Sequence, residues 1–74
     1  TERERQIVLL IAQEHFTESI ANQLSLSPHT INAHRKRILK KLNVTSPIGL
    51  VVQALHLDII RYQNGQVVLT ELYS

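Results

Sequence analysis

The sequence predicts an all-α fold, a four-helix domain built on 74 residues. Three observations carry that prediction. Apolar residues recur at three- and four-residue spacings through most of residues 1–57, the period of helices that bury one stripe. Ser-Pro occurs twice, as Ser27-Pro28 and Ser46-Pro47, and each pair combines a side-chain cap with a residue suited to the first helical position. The chain's Asn-Gly step, Asn64-Gly65, lies near the C-terminus between short β-branched runs, which confines strand structure to residues 58–74. That extension is expected to be a short hairpin or an irregular tail, with its last few residues open to disorder.

The first helix starts at once. Thr1 and Glu4 have the S/T-x-x-E spacing of a capping box, in which each side chain satisfies a backbone donor of the first turn. Ile7, Val8, Leu10, Ile11 and Ala12 form its inward stripe, and the helix is expected to run over residues 2–14. Thr17 is the expected cap of a second, short helix over 17–24 with Ile20, Ala21 and Leu24 inward. Ser25-Leu26-Ser27 then makes a tight turn in which Leu26 can plug the core.

The third helix is expected over residues 28–42. With Ile31 at zero and about 100° per residue, Ile38 and Leu42 return within about 20° of it, a narrow apolar seam. On the far side the same arithmetic collects His29, Asn32, Ala33, Lys36, Arg37 and Lys40. Two helices joined by a turn of three or four residues, the second of them basic, make a helix-turn-helix. Asn43 can take the left-handed conformation that ends the helix. A fourth helix over 47–57 is apolar on two stripes: Leu50, Val51, Ala54 and Leu57 on one, Ile48, Val52 and Leu55 on the other. A small domain buries one such stripe more easily than two. The second is expected either to serve as a self-association surface or to be covered by the tail.

Charge is segregated along the chain. The six acids are Glu2, Glu4, Glu14, Glu18, Asp58 and Glu71, and none lies between Ser19 and Leu57. That interval holds Arg35, Lys36, Arg37, Lys40 and Lys41, a net of +5, whereas the rest of the chain is at −3. The overall +2 therefore hides a dipolar molecule with one basic helix. A solvated helix face would show such a run too, but on the second helix of a helix-turn-helix it is the footprint of a phosphate-backbone binder. Zero Cys leaves no disulfide framework or thiolate site. No apolar run approaches the roughly 20 residues of a membrane span and no signal-peptide pattern opens the chain, so a soluble, cytoplasmic and nucleoid-associated protein is expected. The absence of Met suggests an excised domain whose upstream regulatory partner is missing.

Three segments carry a resemblance: TERERQIVLLIA, SLSPHTINAHRKRILKKLNVTS and LVVQAL. They resemble the LuxR/NarL (GerE-type) helix-turn-helix domain found at the C-terminus of bacterial response regulators and other transcription factors. Thr30, His34, Ile38, Lys41-Leu42 and Val44 fall in its pattern T-V-x-x-H-x-x-x-I-x-x-K-L-x-V. The resemblance covers residues 1 to about 57. It implies a domain that binds double-stranded DNA, with the third helix in the major groove and the fourth helix forming a homodimer through Ile48, Val52 and Leu55. It also implies RNA polymerase as a possible partner and no cofactor. Carried over position by position, Asn32, Ala33 and Lys36 match residues that face base edges. Asn suits adenine, Lys guanine, and Ala a thymine methyl. Ser27, His29, Thr30, Arg35, Arg37, Lys40 and Ser46 match positions that meet phosphates, and His34 one that braces the helix.

The chain departs from the family pattern at four places. Glu14 to Ala21 lacks the usual capping box of the second helix, Glu18 stands where a phosphate-contacting Lys is common, Asn32 replaces a frequent Lys or Glu, and Gly49 stands where Glu is frequent. These departures define the alternative, a degenerate helix-turn-helix that binds protein through its fourth helix and tail. Catalysis is not expected. His15, His29, His34 and His56 have no ligand spacing, His29 and His34 lie about 140° apart on a helix, and no Gly-rich phosphate loop or Cys nucleophile is present.

Overall fold

A computed structural model describes residues 1–70. The element order is α1 (Glu2–Ala12), α2 (Thr17–Leu24), α3 (Pro28–Lys41), α4 (Pro47–His56), β1 (Ile60–Gln63) and β2 (Gln66–Leu69). The expected four-helix fold is present, and the tail forms the hairpin. Residues 71–74, where disorder was expected, lie outside the described residues.

The helix starts follow their local chemistry. The Thr1 hydroxyl accepts the Glu4 amide at 3.2 Å and the Glu4 carboxylate accepts the Thr1 nitrogen at 3.2 Å, closing the capping box. Ser27 and Ser46 accept the amides of Thr30 and Gly49 at 3.1 and 3.0 Å, each with Pro in the first turn. The start of α2 differs from expectation. Its cap position is Phe16, whose side chain accepts nothing, and Thr17 is already helical.

The helix ends differ as well, and for one shared reason. α1 stops two residues early, α3 at Lys41 rather than Leu42, and α4 at His56 rather than Leu57. All four helices close with paired amides turned back onto the last carbonyls, for instance Glu14 N–H to Ile11 O and His15 N–H to Leu10 O. The closing residue takes a left-handed conformation each time: Glu14, Ser25, Asn43 and Asp58 at φ 67°, 57°, 57° and 59°. Glycine is the usual occupant, so three of the four stops carried no glycine or asparagine signal in the sequence. The early stop of α4 also removes Leu57 from the inward stripe and leaves it 49% exposed.

One core holds the domain together. α1 contributes Ile7, Val8, Leu10 and Ile11, α2 Ile20 and Ala21, α3 Ile31 and Ile38, α4 Leu50 and Ala54, and β1 Ile60. The hairpin turns through Asn64 (φ 53°) and Gly65 (φ 79°), both left-handed as a two-residue turn of this kind requires. Its register pairs Ile60 with Leu69 and Gln63 with Gln66. A hairpin alone is marginal in water, and this one lies along α1, where Gln13 Nε2 donates to Val67 O at 3.1 Å and Arg5 Nη2 to Thr70 O at 2.8 Å. The described part of the tail therefore packs on α1 and leaves the Ile48–Val52–Leu55 stripe uncovered, at 78%, 60% and 45% exposure.

Candidate nucleic-acid interface

α3 presents its outer face because Ile31 and Ile38, two turns apart, commit the opposite face to the core. Two further ties fix its ends. Ser27 caps the start, its hydroxyl also 2.9 Å from that of half-buried Thr30. At the other end Lys41 Nζ donates to both Glu4 carboxylate oxygens, at 2.8 and 3.1 Å. Glu4 is buried, and this bond from Lys41 holds its carboxyl well below the ordinary value of 4.5, at about 2, against the opposing cost of desolvation. Lys41 is thus a structural residue. Of the five cations counted on the basic helix, Arg35, Lys36, Arg37 and Lys40 are left for the outer face.

On that face a shallow concavity is lined by His29, Asn32, Ala33, Arg35, Lys36 and Leu39. It gathers the three residues expected to read bases together with two of those expected to meet phosphates. The other five lie outside it. Lys40 is exposed one turn beyond Lys36. Ser27 and Thr30 form the cap of α3, and Ser46 that of α4, so the hydroxyl oxygens of Ser27 and Ser46 already accept backbone amides. Arg37 Nη1 donates to His34 Nδ1 at 3.3 Å, which fixes the acceptor nitrogen of that ring. His34, half-buried, therefore bonds within its own helix in place of bracing α3 against a neighbour.

A polar cluster at the α1–α2 corner escaped the sequence reading. His15 Nδ1 lies 3.2 Å from Ser19 Oγ, Gln23 Nε2 donates to Ser19 Oγ at 3.2 Å, and it also reaches His15 Nδ1 at 3.3 Å. This cluster bridges the start of α2 where the side-chain cap is missing. The four-residue spacing of Ser19 and Gln23 was the one visible signal. Among the described residues no three His, Cys, Asp or Glu side chains are grouped to hold a metal ion. No helix among them is long and apolar enough to cross a membrane.

α2 and α3, joined by Ser25-Leu26-Ser27 and packed on one another, form a helix-turn-helix whose second helix carries the basic face. The family model for bacterial regulatory proteins of the luxR family matches residues 1–54. The chain belongs to the luxR family. It is accordingly a regulatory domain and not an enzyme. Among curated relatives it is similar to the response regulator GacA of Pseudomonas aeruginosa, 48% identical over 54 residues, 73% of this chain and 25% of that protein. It is also similar to the uncharacterized response regulatory protein YgeK of Escherichia coli K12, 44% identical over 59 residues, 80% of this chain and 40% of that protein. The response regulator UvrY of the same strain is 42% identical over 50 residues, 68% and 23% of the two chains. The chain thus spans between about a quarter and two fifths of the length of these luxR-family relatives. No solved structure matches it.

Proposed function

We propose that this chain is the DNA-binding domain of a bacterial transcriptional regulator and that α3 enters the major groove. The observation that carries the reading is the concavity on α3, where Asn32, Ala33 and Lys36 lie side by side on a face with no acid. In this reading these three meet base edges, while Ser27, His29, Thr30, Arg35, Arg37, Lys40 and Ser46 meet phosphates. Residues 1–57 form the binding unit and 58–74 an extension. Two copies dimerise through Ile48, Val52 and Leu55 on α4, read half-sites about one helical turn apart, and roughly double the phosphate contacts of one subunit. An upstream regulatory domain controls this step in the cytoplasm, and transcription responds to where the dimer sits relative to RNA polymerase.

A second reading keeps the fold and moves the partner. Glu18 is exposed in the first turn of α2 and the α4 stripe is uncovered, which favours a domain that binds protein. Fluorescence anisotropy on a mixed-sequence duplex at several salt concentrations separates the two. A DNA-docking α3 requires log affinity to fall linearly with log salt, with Lys36→Ala and Lys40→Ala each weakening binding and reducing the slope by about one. A folded protein whose binding is absent, or indifferent to salt and to both substitutions, sends the search to a protein partner.

A further inference from the structure

The α4 stripe does not end at α4. Ile11 and Glu14 from the end of α1 meet Pro47, Ile48 and Val51 from the start of α4 around an apolar groove. Ile48 belongs to both groove and stripe, so the two form one continuous surface, and Glu14 stands at its rim. The opposite end of the stripe carries Leu55 and then His56, exposed and basic in the last turn.

We infer that the groove is the seat of a second copy's α4, laid antiparallel across the first, with Leu55 of each copy entering the groove of the other and His56 meeting Glu14 across the rim. The inference rests on the reading that two copies meet through α4, and it adds the orientation and the part played by α1. A twofold interface pairs the same patch with itself. Two orientations satisfy that condition, and charge separates them. In a parallel pair Ile48 faces Ile48, groove faces groove with nothing to fill it, and the two Glu14 carboxylates approach one another. In an antiparallel pair Ile48 lies opposite Leu55, Val52 sits near the axis, and each groove receives a branched apolar side chain. Glu14 then faces the cationic end of the other α4, and the two helix dipoles run head to tail, the favourable sense. The stripe fits this symmetry, since its midpoint falls close to Val52 and its two ends carry opposite charge.

The full chain has no Cys, so cysteines introduced singly report geometry without background. Val52→Cys, near the axis, is expected to cross-link to itself on oxidation. Ile48→Cys alone and Leu55→Cys alone are expected to stay monomeric in denaturing gels, whereas an equimolar mixture of the two yields the mixed dimer. Glu14→Lys and His56→Glu should each weaken dimerisation in sedimentation equilibrium by about two- to fivefold, and the double variant should recover most of that loss. Self-cross-linking of Ile48→Cys with none in the mixture overturns the antiparallel seat while leaving dimerisation through α4 in place. Absence of any cross-link, Val52→Cys included, overturns both. Failure of the charge swap to recover affinity, with the mixed cross-link present, removes the Glu14–His56 contact from the inference. DNA affinity, read separately by anisotropy, is independent of all three outcomes for a single subunit.

Discussion

α3 and α4 are built by the same local rules and end with opposite surfaces. Each opens with Ser-Pro, each caps itself through the serine, and each commits one narrow face to the core, through Ile31 and Ile38 in one helix and Leu50 and Ala54 in the other. The outer face of α3 is polar and cationic, that of α4 apolar. The buried face decides where a helix sits, and the outer face is then free to specify a partner. A cationic face exchanges counterions with a polyanion and stays wet, whereas an apolar face gains by losing water to a surface of its own kind.

The comparison can be broken first at the core, where the two helices should behave alike. Ile31→Ala and Leu50→Ala each remove a fully buried side chain, and each is expected to destabilise by about 2–5 kcal/mol in urea unfolding. Such losses rival the total stability of a domain this small. A much smaller loss at one of the two would show that its helix is held mainly by something other than the buried face.

The next contrast is the tie that α3 has and α4 lacks. Glu4→Gln removes the charge that holds Lys41, and the expected loss at neutral pH is about 1–2 kcal/mol, discounted because the Lys41 ammonium is half exposed to solvent. The Glu4 carboxyl titrates lower in the folded chain than in the unfolded one, so its contribution is complete above about pH 4.5 and disappears as pH falls toward about 2. Urea midpoints of the parent should fall across that window, and those of Glu4→Gln should fall less.

The smallest effects are expected at the two helix ends. Asn43→Gly, after α3, relieves a left-handed side chain and should stabilise by a few tenths of a kcal/mol, about 0.5 at most. Asp58→Gly, after α4, gains the same relief but loses the bond from Thr70 Oγ1 at 3.3 Å, so thermal unfolding should register almost no change. Equal gains at both sites would mean that the Thr70 bond contributes nothing.

What could be read from the chain was what short-range chemistry decides. The capping box of Thr1 and Glu4, both Ser-Pro starts, the Asn64-Gly65 turn and the outer face of α3 all follow from residues within about four positions of each other. The helix ends were less legible because Glu14, Ser25 and Asp58 adopt the left-handed conformation without advertising it. The α2 start was misplaced by one residue because Thr17 looks like a cap while the backbone turns at Phe16. Lys41 was counted with the basic face because its partner, Glu4, is 37 residues away in sequence. Within the candidate interface, the wheel found the face, but the grouping of Asn32, Ala33 and Lys36 with His29 and Arg35 in one concavity, and the engagement of Arg37 by His34, required side-chain positions.

The side chains that α1 lends to the hairpin also settle how large the sheet can become. Val67 and Thr70 point carbonyls toward α1, and Gln13 and Arg5 occupy both. A third strand approaching from that side would have to displace two bonded side chains and a helix. The opposite edge is the four residues of β1, with Arg61 at its centre, too short and too charged to template a long pairing. The hairpin is thereby a closed element, able to extend the core without offering the chain a route to fibrillar growth.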